Sequence, residues 1–143
     1  MPLRFKVAFL LVEDSAIDAE VFQRALRRHR IERSLHVCQS AKEALEFLRS
    51  QPDRGVNERY IIFLDLNMPG TSGHEFLAEI RADEELSSSI VFVLTTSDHE
   101  KDIEMAYKRN VAGYFTKSNI DVLMQAIKPY SDIVFPPLIE ATA

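Results

Sequence analysis

The sequence is short of several features that would assign it to a specialised class of protein. It has no tryptophan, one cysteine, four glycines and six prolines in 143 residues. The single cysteine, Cys38, excludes an internal disulfide and favours a reducing compartment. The low glycine and proline contents exclude collagen-like chains. The longest apolar run, Val7 to Val12, is far shorter than the roughly 20 residues that cross a membrane. We therefore expect a cytoplasmic protein with no membrane partner.

The charge balance of the chain is acidic. The formal net charge is −5 and the sequence pI is 5.4, whereas nucleic-acid-binding domains usually carry a basic face or stripe. We therefore expect no nucleic-acid partner. Hydrophobic residues make up 46% of the chain, which is typical of a globular protein and argues against disorder. The length fits one domain, since a domain averages roughly 150 residues.

Strand-like and helix-like segments alternate along the chain. Short apolar runs predict five strands, and apolar residues at helical spacing predict five helices. The predicted strands span Lys6–Val12, Leu35–Cys38, Tyr60–Leu64, Ile90–Leu94 and Ala112–Phe115. Strands separated by helical crossovers indicate an α/β fold, in which a parallel sheet is covered by helices on both faces.

Three helices carry more specific expectations. The predicted apolar face of the first helix comprises Ile17, Val21, Ala25 and Leu26. Ser97 or Asp98 is the expected N-cap of the fourth helix, because their short polar side chains accept hydrogen bonds from the first free backbone amides. Pro129 is expected to end the fifth helix, because proline lacks the backbone N–H that a helix interior needs.

Polar residues follow four of the five predicted strands. In a doubly wound sheet, ligands bind outside the carboxyl ends of the strands. Those ends carry Glu13, Asp14, Asp65, Thr95 and Lys117. Three close carboxylates favour a hard cation, and Mg²⁺ prefers oxygen ligands while keeping several waters. We expect Asp14 and Asp65 to bind Mg²⁺ directly and Glu13 to act through water; no Cys/His spacing indicates zinc.

The same residues predict chemistry on a phosphoryl group. An aspartate such as Asp65 can act as a covalent nucleophile toward phosphoryl groups. The metal and Lys117 would neutralise the charge of the transferring group. Thr95 offers a hydrogen bond to a phosphoryl oxygen, and its neighbour Thr96 is small enough to leave room for the group.

Four motifs carry a resemblance to a known family. They are V-E-D-S at 12–15, L-D-L-N-M-P-G at 64–70, T-T at 95–96 and Y-F-T-K at 114–117. Together they resemble the receiver domain of two-component response regulators. The resemblance covers residues 5–128 and leaves a short tail at 129–143. The Lys117-Ser118 pair, the Thr-Thr-Ser run and the tail are similar to the small single-domain regulators that partner bacterial phytochrome kinases.

The resemblance implies a fold, a phosphoryl donor and a role for each site residue. The fold would be flavodoxin-like (βα)5, a parallel five-stranded sheet with strand order 2-1-3-4-5, and the donor a histidine kinase. Asp65 would be the phosphoacceptor. Mg²⁺ would be held by Glu13, Asp14, Asp65 and the backbone carbonyl of Asn67. The phosphoryl group would be bound by Thr95, Thr96 and Lys117, with Tyr114 as the coupled aromatic switch. Many receivers have proline where this chain has Ser118, so the usual cis peptide bond lacks its ordinary cause.

These expectations describe a single-domain regulator with Mg²⁺-dependent self-phosphorylation and autodephosphorylation, rather than a classical enzyme. Its output would be binding to a downstream protein target. A homodimer is expected to use either the tail, with its apolar segment Phe135–Leu138, or the face of the fourth helix, fifth strand and fifth helix. That face carries Lys101, Asp102, Lys108 and Arg109.

Three other functions fit the same fold class less well. A phosphorylation-independent interaction module would not need Asp65, Thr95 and Lys117 together. A metal-dependent phosphohydrolase usually has a second acidic residue just after its nucleophile, where this chain has Leu66 and Asn67. A flavin-binding protein would need a loop rich in Ser, Thr and Gly after the first strand, where this chain has two carboxylates.

Overall fold

Five parallel strands form the centre of the computed structural model, which describes residues 6–51 and 58–132. They are β1 (Lys6–Val12), β2 (Leu35–Cys38), β3 (Glu58–Leu64), β4 (Ile90–Thr95) and β5 (Gly113–Thr116). The order across the sheet is β2-β1-β3-β4-β5, which confirms the predicted doubly wound topology. The first two strands have the predicted bounds, and the other three shift by one or two residues. The tail segment Phe135–Leu138 lies outside the described residues.

Five helices connect and follow the strands. They are α1 (Ala16–Arg28), α2 (Ala41–Arg49), α3 (Gly73–Ala82), α4 (Glu100–Lys108) and α5 (Ile120–Asp132), the last preceded by a 3₁₀ turn at Lys117–Asn119. Serines cap the first three helices, because Ser15, Ser40 and Ser72 each accept a hydrogen bond from a first-turn backbone amide. None of the described helices has the length and apolar character needed to cross a membrane.

The predicted cap of α4 was wrong. The helix begins at Glu100 with His99 in the N-cap position, and within the described chain no side chain supplies a capping hydrogen bond there. Ser97 instead donates from Oγ to the Asp102 carboxylate at 2.5 Å. The hydroxyl therefore donates to a carboxylate inside the helix, while its oxygen accepts from the backbone amide of His99 at 3.3 Å, one residue before the helix begins.

Pro129 does not end α5, which continues to Asp132. A proline in the last turns removes one backbone hydrogen bond and leaves the rest of the helix intact. The continuation is stabilised by Tyr130, whose ring packs edge-on against Phe92 of the sheet with the ring centroids 6.2 Å apart. The aromatic contact thus holds the turn that the proline was expected to break.

The sheet separates two apolar layers. On one face, α1 and α5 pack over an aromatic group in which Phe63 contacts Phe9 and Phe22 at centroid distances of 5.1 and 5.0 Å. On the other face, α2, α3 and α4 cover aliphatic strand residues. Cys38 lies buried in this second layer, and burial raises the pKa of its thiol to about 12. These layers fix the sheet on which the site is built.

The apolar face predicted for α1 was half wrong. Ala25 and Leu26 are buried as expected, but Ile17 and Val21 are 77% and 44% exposed. The helix is rotated so that the larger Phe22 is buried against the sheet. Phe22 offers more apolar area than either aliphatic side chain, so its burial decides the rotation of the helix.

Arg81 joins the end of α3 to two neighbouring loops. Its guanidinium donates to the carbonyls of Ser87 and Ser89, both at 2.8 Å, in the segment before β4. It also donates to the carbonyls of Arg109 at 2.8 Å and Asn110 at 3.0 Å, after α4. Four backbone carbonyls are therefore satisfied by one side chain, whose pKa is lowered by burial.

Candidate functional site

Three carboxylates meet at the carboxyl edge of the sheet. The parallel pairing of β1 with β3 sets Val12 beside Leu64, and the Asp65 amide extends it by donating to the Val12 carbonyl at 3.1 Å. Glu13 and Asp65 therefore follow neighbouring strands in register. With the exposed Asp14 they form a cluster in which one oxygen from each carboxylate lies within 4.8 Å of the others.

The two buried carboxylates carry an unfavourable charge. Glu13 is 3% and Asp65 4% exposed. Burial and, to a smaller extent, the charge of Asp65 raise the pKa of Glu13 to about 7, although the hydrogen bond from Lys117 lowers it. Taking carboxylates out of water costs free energy unless a cation compensates. This edge of the sheet is therefore arranged to receive positive charge.

Lys117 supplies one positive charge from the end of β5. Its Nζ lies 2.7 Å from Glu13 Oε1, 2.7 Å from Asp18 Oδ2 and 3.2 Å from Asp65 Oδ2. Burial alone would lower the pKa of this lysine, but hydrogen bonds to Asp18 and Glu13 and the charge of Asp65 outweigh burial and raise it. The ammonium is held in its charged form within reach of Asp65.

The end of β4 supplies the hydroxyl groups. Thr95 is fully buried, and its Oγ1 donates to Asp65 Oδ1 at 2.8 Å. Asn67 donates from its backbone amide to the same Asp65 oxygen at 3.2 Å, and from its side-chain amide to Thr95 Oγ1 at 3.4 Å. The exposed Thr96 lies 3.5 Å from the same Asn67 nitrogen. Hydroxyl and amide donors thus surround one face of Asp65.

A second polar group adjoins this site beyond Thr95. The half-buried Tyr114 donates from its hydroxyl to the Ser97 carbonyl at 2.9 Å, and burial raises its pKa. Asp102 accepts from Ser97 and pairs with His74 Nε2 at 2.9 Å, and these contacts lower the pKa of Asp102. The segment after β4 is therefore tied to α3, α4 and β5 together.

The structure brings the predicted residues together around Asp65, with Tyr114 one step further out. The partners that the sequence analysis missed are Asp18, Ser97 and the His74–Asp102 pair. Asp18 shows a weak signal in the sequence, since it lies in the first turn of the helix that follows the Glu-Asp pair. Asp102, predicted on the dimer face, instead bonds within the chain. Lys117–Ser118 is trans, as is every peptide bond in residues 6–51 and 58–132.

The loop after Asp65 is packed closely against the start of α3. A Cβ on Gly73 would lie 2.6 Å from Leu66 Cα and 2.7 Å from the Asp65 carbonyl oxygen. Only glycine permits this approach, because real side chains do not come so close to backbone. The approach fixes the position of the loop that carries Asn67.

Comparison with known proteins matches this arrangement to a family. The response regulator receiver domain matches residues 9–128 of the chain. The protein belongs to the response regulator receiver family. Receiver domains are the phosphorylation-linked modules of two-component systems and bind a divalent metal, which the cluster of three carboxylates fits through its hard oxygen donors.

Similar receivers include a cyanobacterial phytochrome response regulator. Response regulator Rcp1 of Synechocystis sp. is 39% identical over 110 residues, which cover 76% of this chain and 75% of that protein. The crystal structure of Mn²⁺-bound Rcp1 matches with a TM-score of 0.74 and 34% identity over 93% of this chain and 99% of that one. The phosphorylated cyanobacterial phytochrome response regulator RcpA matches with a TM-score of 0.70 and 32% identity over 92% and 94%.

Proposed function

We propose that this receiver accepts a phosphoryl group from a histidine kinase on Asp65 and thereby switches its binding to other proteins. The observation that carries the proposal is the convergence on one buried carboxylate of a hydroxyl at 2.8 Å and an ammonium at 3.2 Å. The hydroxyl can donate a hydrogen bond to a phosphoryl oxygen, and the ammonium can offset the negative charge of the phosphoryl group. Residues 5–128 form the receiver in this proposal, and residues 129–143 a short tail.

The transfer is a displacement at phosphorus. A carboxylate oxygen of Asp65 attacks the phosphorus atom, the bond from phosphorus to the donor nitrogen breaks, and an acyl phosphate forms. Lys117 pairs with a phosphoryl oxygen and offsets its charge. Thr95 moves its hydroxyl from Asp65 to another phosphoryl oxygen, and Thr96 lines the space beside it. The small side chains of the two threonines leave that space open.

Mg²⁺ is the metal that we propose for the site. Glu13, Asp14, Asp65 and the backbone carbonyl of Asn67 would hold it, and when bound it supplies charge neutralisation for the transferring group. The three side chains are oxygen donors from two neighbouring strand ends, which is the donor set that a hard cation takes.

Tyr114 couples the site to the surface in this proposal. Its hydroxyl is bonded to the carbonyl of Ser97, two residues after Thr95. A shift of Thr95 toward a phosphoryl group pulls on this segment and alters the Tyr114 contact. Phosphorylation adds nearly two negative charges at neutral pH, so a local charge change biases the arrangement of α4 and β5.

The partners follow from the same proposal. The phosphoryl donor is a histidine kinase, and the similarity to Rcp1 and RcpA supports a photoreceptor kinase of the phytochrome type. The output is a downstream protein, and homodimerisation through the α4–β5–α5 face or the tail remains part of the proposal. A cytoplasmic location is part of the same proposal.

Mass spectrometry of the intact protein tests the chemistry. Wild type is incubated with acetyl phosphate, with and without Mg²⁺, beside Asp65→Asn and the matched variant Asp121→Asn, whose aspartate lies on the exposed side of α5. We expect one phosphoryl adduct on wild type and Asp121→Asn with Mg²⁺, and none on Asp65→Asn. An adduct that persists in Asp65→Asn contradicts the assignment.

A module that acts without phosphorylation is the second candidate. Its prediction is that wild type takes up no phosphoryl group and that beryllofluoride changes neither its structure nor its association. The buried bonds around Asp65 argue against it, because an interaction surface gains nothing from a costly buried carboxylate pair.

A further inference from the structure

The Lys117 ammonium has a partner that does not belong to the metal-binding cluster. Two of its three carboxylates, Glu13 and Asp65, are members of the cluster. The third, Asp18, lies on α1 and bonds the ammonium at 2.7 Å. Lys117 and a bound metal would therefore share two carboxylates, whereas the third, Asp18, bonds to the lysine and lies outside the metal-binding cluster.

This difference decides what happens when a divalent cation binds. The cation needs the charge of Glu13 and Asp65, which Lys117 now neutralises, and two positive groups on the same carboxylates repel each other. Asp18 keeps its bond to the ammonium in that state, so the lysine retains one partner while it releases the others. Without Asp18 the ammonium would depend on the cluster alone and would compete with the metal for it.

The start of α1 holds Asp18 in the required place. Its backbone amide is bonded to Ser15 Oγ at 3.2 Å, which caps the helix directly after the Glu13-Asp14 pair. A carboxylate in the first turn also lies at the positive end of the helix dipole. The Asp18 side chain is 39% exposed and partly solvated, whereas the Lys117 side chain is only 18% exposed and relies on its carboxylate partners.

We propose that Asp18 is a positioning residue: it holds the Lys117 ammonium on the α1 side of the pocket and so keeps Glu13 and Asp65 available to the divalent cation. The inference rests on the proposed metal-dependent function of the site. Removal of Asp18 should therefore weaken metal binding because Lys117 then competes with the cation for Glu13 and Asp65, and not only because one negative charge is lost.

A double-mutant cycle in metal binding tests the proposal. Mg²⁺ affinity is measured by calorimetric titration of the full chain for wild type, Asp18→Asn, Lys117→Met and the double variant. The part-exposed pair predicts about three- to fivefold weaker Mg²⁺ binding in Asp18→Asn. In the Lys117→Met background, Asp18→Asn should weaken Mg²⁺ binding by less than about twofold. Without the lysine, only the screened long-range attraction between Asp18 and the cation remains to be lost.

Matched variants separate the lysine bond from other effects. Glu20→Gln removes the same charge two residues further along α1, where Glu20 pairs with Arg24 and Arg27 instead, and should leave Mg²⁺ affinity within about 1.5-fold. Asp18→Glu keeps a carboxylate and should restore affinity to within about twofold. Far-UV circular dichroism checks folding, and Lys117→Gln replaces Lys117→Met if the latter does not fold.

Phosphorylation by acetyl phosphate gives a second measurement. In Asp18→Asn the Mg²⁺ concentration at half-maximal rate should rise by the same factor as the dissociation constant, with the rate at saturating Mg²⁺ within about twofold of wild type. Equal losses of affinity in both lysine backgrounds, or none in either, overturn the proposal while the metal-dependent function stands. Failure of the wild type to bind Mg²⁺ overturns both.

Discussion

Removal of the Arg81 guanidinium tests how much of the fold depends on one half-buried side chain. Arg81→Met keeps the apolar stem and removes the donors to four backbone carbonyls. The bonds to Ser89 and Arg109 are partly buried, whereas those to Ser87 and Asn110 are exposed. At about 1 to 1.5 kcal/mol for each of the former and about 0.5 kcal/mol for each of the latter, the loss is about 3 to 4 kcal/mol.

Urea unfolding followed by circular dichroism measures this loss. The slope of free energy against urea should stay at the wild-type value, since the same surface is exposed on unfolding. Arg81→Lys keeps a single charged donor and should lose about 2 kcal/mol. Arg24→Met removes an exposed arginine that pairs with Glu20 on the surface of α1, and should lose less than about 0.5 kcal/mol. A loss below about 1 kcal/mol for Arg81→Met refutes the reasoning, because it means that water replaces the guanidinium at all four carbonyls.

Three further changes probe the site itself. Thr95→Val removes the buried hydrogen bond to Asp65 and should lower the free energy of unfolding by about 1–2 kcal/mol in urea titration, whereas Thr95→Ser should keep most of it. In chelator-treated protein the Glu13 pKa of about 7, above its ordinary 4.5, means that the folded state binds the proton more tightly. The resulting stability is complete below the ordinary pKa and is lost as the pH rises through about 7. The free energy of unfolding of wild type should therefore fall relative to that of Glu13→Gln as the pH rises through about 7. Mg²⁺ should reduce this difference between the two proteins, and parallel pH profiles of their unfolding free energies would contradict the reasoning. Gly73→Ala brings a Cβ to 2.6 Å from Leu66 Cα and should cost about 2–3 kcal/mol in thermal or urea unfolding, and a loss near zero means that the loop yields.

Sequence reasoning predicted the sheet well because its signals are local. Short apolar runs that alternate with helical segments indicate parallel strands buried on both faces, and the carboxyl ends of such strands lie at one edge of the sheet. The sequence pattern alone therefore predicts that Glu13, Asp65 and Lys117 lie together at this edge. The family resemblance added roles to these residues, and those roles stay predictions until phosphorylation is measured.

The errors have a common cause in tertiary packing. Apolar residues on α1 occupy more than one stripe, so spacing alone does not say which stripe faces the sheet. Burial of Phe22 turns its stripe toward the sheet and leaves Ile17 and Val21 exposed. Pro129 was expected to stop α5 by a local rule, which the contact of Tyr130 with Phe92 overrides. Asp18 was missed because its partner, Lys117, lies 99 residues away along the chain.

The alternation of side chains along β5 assigns neighbouring residues to different halves of the molecule. Tyr114 packs with the layer of α2, α3 and α4, whereas Phe115 packs with the layer of α1 and α5. The two layers share the strand backbones but no buried side chains, so a substitution that repacks one leaves the other nearly unchanged. Substitutions among the buried residues of α1 and α5 should therefore leave the packing around Tyr114 nearly unchanged, and chimaeras that exchange one layer between relatives should keep the packing of the other.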